Sequence, residues 1–275
     1  MNTKLEAMGY LAHIGPLQQV APDTLALQMQ PNHLNIGGRL HGGIVMALIS
    51  AAAEGAALAA VAQVRPGACA EMLTLDVHFV SAALEGSQVQ AQATPTRVTR
   101  TMVFLTVVLN AGEECLATAQ GVYRIVSPGA DESLSSMPVP SLEGWDAAMW
   151  REPFARHIGV AYERTLSNGF KACLFQADPT RLCSNAPLMH DGMALFVADV
   201  FTGRASSTAA KAQGRCVTLN MQVRRFGDVP AGAWVEFRPK VRHLSSSVVF
   251  TDGTLVVGER PVMAVSSVWK VLGAS

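Results

Sequence analysis

An α+β fold of two tandem domains, each an antiparallel sheet wrapped around one central helix and the pair packed as an intramolecular pseudo-dimer, is predicted by three features of the 275 residues. The tripeptides His41-Gly42-Gly43 and His190-Asp191-Gly192 each open an apolar helical segment. Residue identities recur along both halves at a nearly fixed offset. Behind each helix comes a run of short stretches with strand periodicity.

At an offset of 149, His41 meets His190 and Gly43 meets Gly192. The offset becomes 144 where Thr74-Leu75 meets Thr218-Leu219. It then settles at 146, where Gly86, Val89, Phe104 and Val122-Tyr123-Arg124 meet Gly232, Val235, Phe250 and Val268-Trp269-Lys270. Two domains of ordinary size follow, residues 1–126 and 151–275. Between them residues 127–150, with Pro128, Gly129, Pro138, Pro140 and Gly144, read as an extended crossing linker.

In the first half a strand is expected at 24–30, then the helix, then strands at 72–80, 88–93, 102–109 and 115–126. The second half repeats this with strands at 169–176, 217–223, 233–238, 248–251 and 262–272. Residues 44–64 are almost all apolar and approach the length of a membrane span. Glu54 and Gly55 at the centre and the strand-rich remainder favour a helix buried on every side, so no span is expected.

Hydrophobic residues make up 49% and charged residues 15%, so the surface not solvated by charge is expected to be covered by the partner half or by another chain, as in a homo-oligomer. Twenty-one basic against twenty-one acidic residues, without a Lys/Arg cluster, argue against nucleic acid. Five scattered cysteines without a C-x-x-C pair suit reduced thiols in a cytoplasm, and the first fifteen residues, with Glu6, lack an apolar signal-peptide core. No metal cluster, phosphate loop or nucleotide fingerprint is present, so no cofactor is expected.

On these residues the chain resembles the hotdog-fold acyl-CoA thioesterases, in the tandem form of the medium-chain acyl-CoA thioesterase II type, over nearly its whole length. Single-hotdog relatives carry an asparagine, three residues on a glycine, three on His-Gly-Gly, and an acid nine residues after the histidine. The first half matches with Asn35, Gly38 and His41-Gly42-Gly43, but Ser50 stands at the acid position. In the second half Asp199 holds the acid position, Asp191 replaces the first glycine, and Asn185 lies one residue out of register.

The resemblance implies a composite site in which the acid of one helix serves the helix start of the other, pairing Gly42 and Gly43 with Asp199. The chemistry fits these residue types. Free N–H groups and the positive dipole end of a helix meet the charge that a thioester oxygen gains when water attacks. Glycine lets the substrate approach that backbone, and a carboxylate activates the water. The tandem relatives also imply a threonine and a glutamine that hold the water with the aspartate. Thr218 matches the threonine, while the glutamine's place falls on Ser266 or Ser267, with Gln120 in the corresponding segment of the first half. A second site would combine Gly192 with Ser50, unless Glu54 substitutes from one turn further along; that turn is about 6 Å, more than catalytic geometry tolerates.

Each residue has a structural reading beside the functional one. A buried aspartate on an apolar helix is costly unless bonded or functional. His41 could simply fix its loop, Gly42 and Gly43 could serve helix packing, and Thr218 could be an ordinary strand residue. Glu54 could be a buried acid paired with an arginine. Acyl-CoA is the expected partner, with Arg97, Arg100 and Arg224 as candidates for its phosphates. The expected function is hydrolysis of acyl-CoA by Asp199, Thr218 and Ser267 with His41, Gly42 and Gly43 at the carbonyl. The alternatives are a non-catalytic acyl-CoA-binding hotdog protein and, with less support from the residues, a hotdog hydratase or dehydratase.

Overall fold

The computed structural model describes residues 3–4, 9–21, 23–127, 139–150, 153–183, 187–211 and 215–273. The first half runs β1 (Thr3–Lys4), α1 (Gly9–Ile14), β2 (Leu17–Ala21), β3 (Thr24–Gln28), α2 (Gly42–Val64), β4 (Cys69–Phe79), β5 (Gln88–Val98), β6 (Met102–Ala111) and β7 (Glu114–Val126). The second runs β8 (Asp146–Ala147), β9 (Ala161–Thr165), β10 (Lys171–Gln176), α3 (Asp191–Ala209), β11 (Cys216–Arg225), β12 (Trp234–Leu244), β13 (Val248–Val257) and β14 (Arg260–Val271). Short 3-10 turns lie at Pro31–His33 and Phe154–Ile158.

The strands follow from a two-residue alternation. In β6, Val103, Leu105, Val107 and Leu109 point inward and are buried, while Phe104 and Val108 face out. Burying each such aliphatic side chain is worth about 1.5–3 kcal/mol. The inner face is closed by α2, whose Ala51, Ala52, Ala53, Ala56 and Ala57 are all buried between the sheet and α3. By length and apolarity α2 could cross a membrane, yet 78% of its most apolar window is buried inside the fold. It is a core helix. The expected strands are all present, and β1 and β2 in the first half and β8 and β9 in the second are added ahead of each long helix.

All fourteen strands join in one sheet, in the order β1-β2-β3-β5-β6-β7-β4-β11-β14-β13-β12-β10-β9-β8. The order is a palindrome about the antiparallel β4–β11 seam, where Asn220 pairs with His78 and Arg224 with Thr74. Asn220 Nδ2 and Gln222 Nε2 reinforce the seam by donating to the Asp76 carboxylate at 2.7 and 3.2 Å. Within the segment read as linker, Asp146 and Ala147 pair with Glu163 and Tyr162 at the sheet edge. Pro128, Gly129 and Pro138 lie outside the described residues.

The β-bulges correct one sequence match. They interrupt β4 between Met72 and Thr74 and β11 between Thr218 and Asn220, an offset of 146. The bulges after Pro95 and Val241 give the same offset. The counterpart of Thr218 is therefore buried Met72, not Thr74, which faces solvent. The match of Thr74-Leu75 with Thr218-Leu219 at 144 is a coincidence of composition: the bulge shifts the alternation of β4 by one residue, so that Thr74 faces out where Met72 faces in.

Candidate active site

The chain enters α2 through a set of hydrogen bonds that fixes one histidine. His33, fully buried, takes the Gln30 N–H on Nδ1 at 3.1 Å and faces the Ile14 carbonyl with Nε2, and its own carbonyl accepts the His41 N–H at 2.9 Å. Asn35 folds the intervening loop by accepting the N–H groups of Gly37 and Arg39 at 2.8 and 3.3 Å, and Gly38 adopts φ 71°. Asn35 is thus the loop-former of its motif. His33 was not singled out from sequence, because a histidine two residues before Asn35 has no motif to mark it.

His41 caps α2, its Nδ1 accepting the Gly43 N–H at 2.9 Å. The N–H groups of Ile44 and Val45 bond to the His41 carbonyl at 2.9 and 3.1 Å. Among the described hydrogen bonds, the first-turn donor left over is the N–H of Gly42, at the positive end of the helix dipole. Gly43 serves packing: a Cβ there would lie 2.4 Å from Phe196 Cδ2. Phe196 in turn stacks on His41, with ring centroids 5.0 Å apart.

Asp199, on α3 of the other half, lies directly on Gly42. A Cβ on Gly42 would come within 2.8 and 2.9 Å of the two carboxylate oxygens. Thr218 of β11 donates to Asp199 Oδ1 at 3.0 Å, and Oδ2 sits 3.5 Å from His41 Nδ1. That nitrogen already accepts from Gly43, so the ring proton is on Nε2 and the 3.5 Å contact is not a hydrogen bond. Asp199 is 4% exposed, so its carboxylate meets the helix start in a dry setting where each interaction is strengthened.

The other expected residues lie elsewhere. Ser267 donates to the Thr251 carbonyl at 2.9 Å and accepts from Trp269 Nε1 at 2.9 Å, inside the sheet of the second half. Ser266, opposite Gln222, and Gln120, opposite Asp76, stand on the outer face. Arg97, Arg100 and Arg224 are exposed. Asn185 lies outside the described residues. Among the described residues no three His, Cys, Asp or Glu side chains are placed to hold a metal ion.

The mirror position is built differently. His190 caps α3 by the same bond, Nδ1 accepting the Gly192 N–H at 2.9 Å. Buried Ser50 stands where Asp199 would be, and position 191 carries an aspartate, held by Arg225 Nε at 2.9 Å; Arg225 also pairs with Asp228. Burial lowers the Arg225 pKa, but the two carboxylates outweigh it and push the guanidinium above its ordinary value. Tyr10 packs on Gly192, whose Cβ would lie 3.0 Å from Tyr10 Cε1. Glu54 Oε2 reaches to 3.6 Å from His190 Nε2, the opposite ring nitrogen from the one Asp199 faces on His41. Glu54, one turn along from Ser50, thus meets the far edge of the His190 ring and does not take the place that Asp199 has at His41. Burial raises the Glu54 pKa and His190 opposes the rise; 42% side-chain exposure moderates the effect. The arginine expected near Glu54 is Arg225, bonded to the two aspartates instead.

Residues 30–124 match the family model described as the acyl-CoA thioesterase N-terminal domain. No curated protein matches the sequence. Among solved structures, the TesB protein of Mycobacterium avium subspecies paratuberculosis is similar at TM-score 0.69 and 14% identity, covering 96% of this chain and 98% of that one. A putative thioesterase II from Thermobifida fusca is similar at 0.71 and 12%, covering 98% and 100%. Acyl-CoA thioesterase II TesB2 from Mycobacterium marinum is similar at 0.66 and 15%, covering 96% and 98%. At such identities these likenesses concern the fold, whereas the family match concerns the residues of the first half. Residues 30–124 are therefore similar to an acyl-CoA thioesterase N-terminal domain, and over nearly its whole length the chain has the tandem hotdog fold of the thioesterase II structures.

Proposed function

We propose that the protein hydrolyses acyl-CoA thioesters to a free acid and coenzyme A at the composite site of Gly42 and Asp199. The observation that carries this reading is the Asp199 carboxylate seated on the open end of α2, at a glycine that leaves it room. The thioester oxygen accepts from the Gly42 N–H, where the helix dipole meets the charge that develops on it. Thr218 donates to Oδ1 and so orients the carboxylate toward the attacking water. Asp199 takes a proton from that water as its oxygen attacks the carbonyl carbon. The C–S bond then breaks and the sulfur leaves with the proton. His41 holds the first turn in shape through Gly43 and stays out of the proton transfer.

A binding protein for acyl thioesters is the second reading, favoured by one observation: the Ser267 proton is committed to Thr251, so that serine does not donate to a water at Asp199. Thiol release from acyl-CoA esters ranging from acetyl to palmitoyl and aromatic acids, by wild type and by Asp199→Asn, separates the two. Release lost on substitution supports hydrolysis; saturable binding without release supports the binder. The five unpaired cysteines suit a reducing compartment. The exposed Phe104 and Phe250, at equivalent places in β6 and β13, suit association of chains.

A further inference from the structure

The mirror position holds polar groups that the hydrolysis proposed above leaves unused. The His190 ring proton is on Nε2, because Nδ1 accepts from Gly192. That Nε2 is buried and has no hydrogen-bond partner among the described residues, and Glu54 Oε2, at 3.6 Å, is too far for a direct bond. The Tyr10 hydroxyl, also buried, has no hydrogen-bond partner among the described residues either, and its ring centroid lies 5.4 Å from that of His190. Buried polar groups are ordinarily satisfied, and one that has no protein partner points to an ordered water, an ion, strain or a catalytic role. A water set beside the line from Glu54 to His190 meets a carboxylate acceptor and an imidazole donor at once.

The surroundings match what a thioester needs. In the first turn of α3 the Gly192 N–H goes to His190 Nδ1 and the Met193 N–H to the His190 carbonyl at 2.9 Å. Among the described hydrogen bonds the Asp191 N–H is left open at the positive helix end, as the Gly42 N–H is in α2. The Asp191 side chain is drawn to Arg225, which offsets its charge. Glu54 is 42% exposed in its side chain against 5% for Asp199, so the mirror position is the one open to solvent.

We propose that Glu54, His190 and the start of α3 form a second hydrolytic centre for acyl thioesters, a proposal that rests on reading the chain as a thioesterase. The Glu54 carboxylate takes a proton from the water, whose oxygen bonds to the carbonyl carbon while the carbonyl oxygen gains its charge at the Asp191 N–H. Collapse breaks the C–S bond, and the departing sulfur takes the proton back from Glu54. One water and one thioester give one acid and one thiol. The raised pKa of Glu54 makes it a stronger base than an ordinary carboxylate.

Thiol release by the full chain tests this, in wild type, Asp199→Asn, Asp199→Asn with Glu54→Gln, and Asp199→Asn with Tyr10→Phe. Thermal midpoints confirm that each is folded; Glu54→Gln is nearly isosteric and half-exposed, and Tyr10→Phe removes only an unpartnered hydroxyl. The expected result is residual release by Asp199→Asn, roughly a hundredfold below wild type, that falls roughly tenfold further with Glu54→Gln and holds with Tyr10→Phe, whose hydroxyl takes no part in these steps. The Glu54-dependent part should rise with pH at a midpoint above the ordinary carboxylate range, in the field of His190, Asp191, Arg225 and Tyr123. A residual rate indifferent to Glu54→Gln, or none by Asp199→Asn beside an active wild type, overturns the second centre and leaves the first standing. No release by wild type from any ester overturns both.

Discussion

The two helix starts share a backbone and differ in a matched set of side chains. At α2 the first-turn residue is Gly42, and Asp199 of the other half lies against it. At α3 the first-turn residue is Asp191, and the residue in Asp199's place is Ser50. These differences depend on one another. The carboxylate at 199 leaves no room for a Cβ at 42, whereas position 191 carries a side chain, drawn to Arg225. The strand behind follows suit, with Thr218 at one site and Met72 at the other. The histidine cap and the second glycine are kept at both, because each cap shapes a helix turn and each glycine accommodates an aromatic ring, Phe196 or Tyr10. Duplication preserved what folds the helix start and let the side chains set against it diverge.

The sharpest way to break this comparison is to exchange the acid. Asp199→Asn should lower thiol release roughly a hundredfold to ten-thousandfold, the span of general-base catalysis, while Ser50→Ala leaves the principal rate in place. Equal effects in a kcat measurement would mean that the asymmetry is not functional. Next comes the glycine. Gly42→Ala forces the Asp199 carboxylate aside, so kcat should fall roughly a hundredfold. Asp191→Ala removes one of two partners from Arg225 and should cost about 1–3 kcal/mol of stability rather than rate. Thermal melts beside the kinetics separate the two effects. Thr218→Val should cost less, about 1.5 kcal/mol or roughly tenfold in kcat, because the carboxylate stays but loses the bond that fixes Oδ1.

The sequence revealed one member of this set more readily than another. The His-Gly-Gly helix start and the acid nine residues after the second histidine are local spacings, and local spacing survives in a sequence. The pairing of Gly42 with Asp199 needed the resemblance, since no pattern within either half states which helix meets which. What stayed hidden depends on side-chain reach and on strand bulges. Glu54 is a full turn out of place on the main chain, and only its side-chain path shows that it approaches His190. Thr74 shares the dipeptide Thr-Leu with Thr218, and only the bulge after Met72 shows that the two are not equivalent. His33 and Tyr10 hold the two helix starts from neighbouring loops and helices, with no spacing to mark them.

Ser267 sets the smallest expected effect and the finest test of the difference between the halves. Its counterpart in the first half is Gly121, so one half gained a hydroxyl where the other has no side chain. That hydroxyl ties Trp269 to β13, donating to the Thr251 carbonyl and accepting from the indole, and Trp269 in turn packs over Gly203 of α3. Ser267→Ala should therefore lower stability by about 1 kcal/mol, through the lost partner of a buried indole N–H, and leave kcat unchanged. Urea melts and thiol release on the same preparation decide it. A collapse of kcat with stability intact would instead make Ser267 the third group that holds the water, and would extend the active half of the pair from α3 and β11 to β14.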